Sequence, residues 1–375
     1  MSLAKRLLIF SVLAVVAFTG YWIYQNFIYY SGWFGKPSSI QELVDSWVEQ
    51  ENIPGAILRI DKDSETLFNG AVGSITLQGT EKLSQATPFH TASVGKIFTS
   101  LTVLKLHEKG ALSLDEKIAP YVNDGVLSGL LVIDGKDYSQ EITFRQLVTH
   151  RSGLPNTDES LRFQYWVLSK RDRKRLPSEL INFARKMKPV GRPGLVTSYS
   201  SVGYFLLGLA LEGVTGQPYH KIVRRELLDP VGMTDTYESN SELPSGHVTS
   251  HHYFGFIDLA ENTDPSFEFA DGGFVTTTQD MVKLGEAIIQ GSIFKNSEIQ
   301  KIFDTPLPDG SGFGYFWEQT PGGVKYMVQP GFWGVRFVIF PDQKMVIIFT
   351  LNQSNTLTQK FVKQLIALLS EDGHL

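Results

Sequence analysis

Four β-rich runs near the C-terminus constrain the fold of this chain more than any other feature. Gly314-Tyr-Phe-Trp-Glu318, Lys325-Tyr-Met-Val328, Val335 to Phe340 and Met345 to Leu351 are β-branched and aromatic, and turns such as Pro341-Asp-Gln-Lys344 divide them. Side chains of that shape fit a pleated surface, and runs joined by short turns pair antiparallel. The pattern predicts a meander. Near the other end, Ala56 to Asp61 and Thr66 to Ile75 alternate around Asp61-Lys-Asp-Ser64, which predicts a β-hairpin. Amphipathic helices are predicted outside both. One runs from Ile40 to Glu51, with Ile40, Leu43, Val44, Trp47 and Val48 on its stripe and Pro54-Gly55 as its stop; the other runs from about Leu357 to Leu369. The middle of the chain is mainly helical. Strands and helices from both ends with helices between them predict an α+β fold, an antiparallel sheet flanked by helices and carrying a helical insertion. The sheet lobe is expected from about 36–92 and 290–375, the helical lobe from about 93–289.

A length of 375 residues suits one large two-lobed or two-domain fold. The formal net charge of −5 gives no reason to expect nucleic acid as a partner. The absence of cysteine removes disulfides, thiolate metal sites and a cysteine nucleophile together.

Ahead of the globular part, Lys5-Arg6 precede an uncharged apolar run from Leu7 to Ile23, followed by Tyr24, Phe27, Ile28, Tyr29 and Tyr30. Residues 1–35 therefore read as a membrane anchor or a secretory signal. A helix from Leu7 to Tyr30 would span roughly 36 Å at 1.5 Å per residue. Tyr21, Trp22, Tyr24, Tyr29, Tyr30 and Trp33 would form an aromatic belt at its outer end. The positive-inside rule then leaves Lys5-Arg6 in the cytoplasm and the rest outside. Val15-Val16-Ala17 offers small residues for cleavage instead, at the cost of a short apolar core. The expectation is one N-terminal transmembrane helix, membrane contact through residues 7–30 and an extracytoplasmic domain.

Chemistry enters at Thr91-Ala-Ser93-Val-Gly-Lys96-Ile-Phe-Thr-Ser100. Val94, Ile97, Phe98, Leu101, Leu104 and Leu106 recur at helical spacing, so a helix beginning near Ser93 would set Lys96 on the same face one turn on. A serine hydroxyl is a poor nucleophile without a base beside it. A lysine serves as that base if desolvation or a neighbouring cation lowers its pKa. The first turn also aims backbone N–H groups outward, where an oxyanion can sit. Ser-x-x-Lys alone is equally an ordinary helix start beside a surface lysine.

Further stretches narrow the choice. They are Ile142-Thr-Phe-Arg-Gln-Leu-Val-Thr-His150-Arg-Ser-Gly153-Leu-Pro155, Pro193-Gly194-Leu-Val-Thr-Ser-Tyr199-Ser-Ser201-Val-Gly-Tyr204 continuing to Tyr219, Leu228-Asp-Pro-Val-Gly-Met233 and Ala270-Asp-Gly-Gly-Phe274. With these, residues 38 to 370 resemble the serine β-lactamase and penicillin-binding-protein superfamily. Within it they are most similar to the class C β-lactamase-like serine hydrolases, which include D-Ala-D-Ala carboxypeptidases, D-aminopeptidases and esterases. The most specific piece is Gln146 to Pro155. The resemblance implies Ser93 as acylating nucleophile, Lys96 as its base and Tyr199 as the phenol that shuttles the proton, its pKa lowered by the ammonium. It places Gln329-Pro330-Gly331-Phe332 on a strand edging the site, with the N–H of Phe332 joining that of Ser93 as oxyanion donor. Two departures stand out. Ser201 occupies an asparagine position, and Gln329-Pro330 replaces a cationic or histidine head and a hydroxyl, which removes the group expected to hold a substrate carboxylate. Arg336 is the candidate to compensate.

His150 is expected to bond a turn. His247, His251 and His252 crowd together but lack a pattern of acidic ligands, and neither a metal nor another cofactor is expected. Lys170 to Arg175 reads as a solvated basic face, with a lipid-headgroup contact as the alternative. The reading is a membrane-anchored serine hydrolase that cleaves an ester or amide of a small molecule or peptide through a Ser93 acyl-enzyme. A β-lactamase or D-Ala-D-Ala carboxypeptidase and a non-catalytic peptidoglycan sensor are the alternatives.

Overall fold

The computed structural model describes residues 37–375 apart from 52, 170–175, 239–241, 246–247, 255–256, 259–267 and 354–356. The expected anchor, the basic run 170–175 and His247 lie outside the described residues. Among the described residues no helix is long and apolar enough to cross a membrane.

The first helix (α1, Ile40–Gln50) starts on Ser39, whose side chain accepts from the N–H of Glu42. The predicted hairpin follows as β1 (Gly55–Lys62) and β2 (Glu65–Gly73). Asp63 and Ser64 in its two-residue loop both have positive φ, which matches the twist of the flanking strands. The meander comprises β5 (Phe316–Gln319), β6 (Lys325–Gly331), β7 (Val335–Phe340) and β8 (Met345–Leu351). A short pair, β3 (Phe89–His90) with β4 (Val275–Thr276), lies apart from it. The six long strands make one antiparallel sheet in the order β2-β1-β8-β7-β6-β5. Both chain ends thus meet at the centre of the sheet, where β1 pairs β8 from Ala56↔Leu351 to Lys62↔Met345.

Strand alternation divides the sheet's side chains between two cores. Leu58, Ile60, Val338, Phe340, Ile347 and Phe349 face α1 and the last helix (α7, Leu357–Glu371), against Trp47, Phe361 and Leu365. Phe337, Ile339, Val346 and Ile348 face the other way and join the helical residues Phe98, Leu101, Leu206 and Leu284 in one continuous core. The helix assigned from sequence to the far lobe (α6, Thr278–Ile289) lies directly on this face, with Gly285 so close to Val346 that a Cβ there would sit 2.6 Å from it. The two lobes therefore share a core, and the site lies along their seam.

Trp47 is fully buried, donates from its indole to Gln364 Oε1 at 2.6 Å and meets the Phe361 ring edge-on at 5.4 Å. Trp47→Ala should lower stability by about 3–5 kcal/mol, read as a shift of the denaturant midpoint, because it both empties a core position and leaves Gln364 without its donor.

Candidate active site

Ser93 lies in a 3₁₀ turn, Ala92–Gly95, that runs straight into helix α2 (Lys96–Glu108). Three residues per turn make positions i and i+3 eclipse, so Ser93 and Lys96 stack more directly than on an α-helix. Lys96 Nζ sits 3.0 Å from Ser93 Oγ. The periodicity anticipated a common face; the tighter turn that aligns the pair was not legible.

The turn is held under strain. Ala92 has φ 45°, a left-handed conformation that a residue with a Cβ rarely adopts. Its surroundings fix it. Thr91 donates through its N–H to the Phe274 carbonyl at 2.9 Å and through Oγ1 to the Gly272 carbonyl at 2.7 Å. Gly272, at the end of the short helix α5 (Phe269–Gly272), leaves no room at all, since a Cβ there would lie 1.9 Å from the Ala92 carbonyl oxygen. On the opposite side Gly331, at the end of β6, packs so that a Cβ would lie 2.7 Å from the Thr91 oxygen. The Ser93 turn is thus clamped between a helix and a strand, both through glycine.

Asp271, between Ala270 and Gly272, forms an ion pair with Lys96 through Oδ1. Lys96 is fully buried. Burial pulls its ammonium down, but Asp271, Tyr199 and Asp158 more than reverse this, and the group is held protonated above its ordinary range. This corrects the expectation of a lysine made basic by desolvation: the carboxylates that accompany the burial dominate. The Lys96 Nζ lies 4.7 Å from the centre of the Tyr199 ring. Burial pushes the Tyr199 phenol up and the Lys96 charge pulls it back, leaving it at about 12, so the expected lowering by the ammonium is outweighed. At neutral pH both groups hold their protons.

Tyr199 is positioned by the Gln146–Pro155 segment. That segment begins with a helix (α3, Phe144–Val148) under a capping box, Thr143 accepting from the Gln146 N–H and Gln146 from that of Thr143. His150 follows with φ 55°. Its carbonyl accepts from the N–H of Ser198 at 2.8 Å, its Nδ1 accepts from the N–H of Ser200 at 3.2 Å, and its ring stacks on Tyr199 at 4.5 Å. Ser200 then caps helix α4 (Ser201–Thr215). Ser201 Oγ donates to Asp158 Oδ2 at 2.5 Å, so its hydroxyl is bound to a carboxylate. Burial and Asp271 raise Asp158, Lys96 and Ser201 lower it, and it comes to about 6. Glu268 completes the acidic surroundings: Trp333 donates to its Oε1 at 2.7 Å, while burial and Asp271 raise it well above the usual carboxylate range. Sequence reading missed all three acids. The available signal was an aspartate amid apolar residues and glycines in Phe269-Ala-Asp-Gly-Gly-Phe274.

Gln329 Nε2 donates to the Ser93 carbonyl at 3.0 Å, so this side chain ties β6 to the Ser93 turn and does not offer that donor to a substrate. Phe332 opens the turn after Gly331 and is half exposed. Arg336 does not join the site. It pairs with Pro330 across β6 and β7, and alternation sends both away from Gln329 to the face of Tyr326 and Val338. There it is buried, which lowers its pKa, and it is attracted by Glu318 and Tyr326. The expectation that Arg336 compensates as a substrate contact is corrected by that placement. His251 pairs with Asp258 at 2.7 Å and His252 packs between the rings of His90 and Trp333; among the described residues no cluster suits a metal ion.

The model of the family described as beta-lactamase matches residues 40–370. The chain belongs to the beta-lactamase family. It is a hydrolase with the serine β-lactamase fold. Among similar proteins, penicillin-binding protein 4* of Bacillus subtilis (strain 168) is 22% identical over 345 residues, covering 85% of this chain and 72% of that protein. The octameric penicillin-binding protein homologue from Pyrococcus abyssi superposes with a TM-score of 0.76 at 23% identity, over 88% of this chain and 76% of that one. The D-amino acid amidase from Ochrobactrum anthropi SV3 complexed with D-phenylalanine gives 0.74 at 20% identity, over 89% and 98%.

His150 supplies a pH test of this beta-lactamase-family site. Burial first and Lys96 second lower its pKa from 6.5 to about 3. A group depressed on folding contributes stability above its unfolded pKa that is lost as pH falls through 6.5 towards 3, at up to about 1.4 kcal/mol per pH unit. His150→Asn keeps an acceptor for Ser200 and tolerates positive φ. Its denaturant midpoint should fall less steeply than that of the wild type between pH 6.5 and 4.

Proposed function

We propose that this protein is a membrane-anchored, extracytoplasmic serine hydrolase that cleaves an ester or amide of a small molecule or peptide through a Ser93 acyl-enzyme. The observation that carries this reading is the 3.0 Å contact between Lys96 Nζ and Ser93 Oγ at the head of a clamped, strained turn. Ser93 attacks the carbonyl, and the N–H groups of Ser93 and Phe332 hold the oxyanion that forms. Lys96 and Tyr199 carry protons between the serine and the leaving group. Water then releases the acyl group by the same route in reverse. The amidase likeness supports the amide option. The anchor rests on Lys5-Arg6, the apolar run from Leu7 and the aromatic belt.

A β-lactamase or D-Ala-D-Ala carboxypeptidase would have to hold a substrate carboxylate. The donor of Gln329 is committed to Ser93, Pro330 has none, and Arg336 lies on the far face of the sheet. A non-catalytic sensor would not need the Ser93–Lys96 contact and the ion pair behind it.

A fluorophosphonate probe and a panel of neutral esters, amides, D-amino-acid peptides and penicillins test the chemistry. The probe should label Ser93 alone, and Ser93→Ala should abolish labelling and turnover. Neutral short-chain esters or amides should show kcat/KM about ten- to a hundredfold above penicillins and D-Ala-D-Ala peptides, the factor a missing charge-assisted hydrogen bond is worth. Faster hydrolysis of a penicillin than of every neutral substrate would refute this preference.

Full-length protein expressed in a bacterial host should sediment with membranes, resist a carbonate wash and retain Met1 or Ser2 at its N-terminus. A mature chain starting near Phe18 and released without detergent would show a cleaved signal instead.

A further inference from the structure

We infer that Asp271 is the terminal proton acceptor of acylation, reached through Lys96, so that Ser93, Lys96 and Asp271 work as one relay. The inference rests on the acyl-enzyme reading above and adds a residue to it. Lys96 Nζ bridges the two ends, in contact with Ser93 Oγ at 3.0 Å and ion-paired with Asp271 Oδ1. Asp271 is the only carboxylate touching Lys96 among the described residues, and its own main-chain oxygen lies 3.5 Å from the same nitrogen.

The other titratable groups facing this pair are already engaged. Asp158 holds the Ser201 hydroxyl, Glu268 accepts from Trp333, and His150 accepts from the Ser200 N–H. Tyr204 donates to the Val148 carbonyl, Tyr219 shares a hydrogen bond with Thr99, and Tyr199 holds its proton. A lysine kept protonated by its neighbours cannot accept the serine proton unless it gives one up, and the carboxylate in contact is where that proton can go.

The step balances. As the Ser93 Oγ–carbonyl bond forms, the carbonyl π pair moves to oxygen. The Oγ–H proton passes to Lys96 Nζ while a different Nζ proton passes to Asp271 Oδ1. Lys96 ends as it began, an ammonium, and Asp271 ends as a carboxylic acid. On collapse the C–O or C–N bond breaks, the leaving group takes a proton from Tyr199, Lys96 restores the Tyr199 proton, and Asp271 returns one to Lys96. Asp271 touches no substrate atom and is a positioning residue acting through Lys96. The fold places it with care: Phe269 in the same short helix has φ 42°, and Gly272 is wedged on Ala92, so the carboxylate is fixed by the clamp that fixes the nucleophile.

The test uses the full chain, a neutral ester and a fluorophosphonate probe. Asp271→Asn should slow acylation about 10²- to 10⁴-fold at pH 7. Its rate should climb steadily with pH, because neutral Lys96 then forms only by losing a proton to solvent. Asp271→Glu should recover at least tenfold of the loss. For the wild type, acylation in mixed H₂O and D₂O should give a curved proton inventory, as two protons in flight require; this readout does not depend on a variant folding. The inference is overturned by a linear inventory. It is equally overturned if Asp271→Asn labels within tenfold of the wild type and merely moves its acid limb to lower pH, which would make Asp271 a counterion. If the wild type itself is not labelled at Ser93, the acyl-enzyme reading fails first.

Discussion

Lys96 is fully buried, and an ammonium taken out of water costs several kcal/mol unless paired and hydrogen-bonded. Much of the architecture around the seam can be traced to meeting that cost. Asp271 supplies the contact charge, Asp158 adds negative potential from the turn Thr157–Glu159, and the Tyr199 and Tyr204 rings present their faces to the cation. These groups come from three segments far apart in the chain. Their convergence ties the helical lobe to the sheet through electrostatics as well as through the shared apolar core. It also fixes the resting state, because a lysine so surrounded keeps its proton.

The second constraint is steric. A serine aimed out of a tight turn needs a backbone that ordinary residues avoid, and the strain of about 1–3 kcal/mol for a left-handed alanine persists only if the surroundings over-determine it. Gly272 and Gly331 allow the Ala92 backbone to be gripped from both sides at distances no side chain would tolerate. Gln329 adds a hydrogen bond to the same turn. In this chain the edge of β6 therefore serves first to hold the Ser93 turn. With that strand's polar side chain turned inward, the carboxylate-binding role implied by the family resemblance has no cation to perform it.

Much was legible in the sequence because it depends on local pattern. The strands Val335–Phe340 and Met345–Leu351 and the beginnings of α1 and α7 follow from β-branched runs, a serine cap and apolar periodicity. The pairing of Ser93 with Lys96 follows from their spacing. Only the tertiary structure decided the rest. Whether Lys96 is basic or charged depends on acids 62 and 175 positions away, Asp158 and Asp271, which no window of the chain brings beside it. Arg336 was a plausible substrate contact from its position, yet the register of β6 against β7 turns it to the opposite face, since a strand's side chains alternate and pairing decides which set looks at the site. Local interactions specify elements, whereas charge states and facing depend on long-range packing, and that is why the spacing of Ser93 and Lys96 could be read from the sequence and the acids around Lys96 could not.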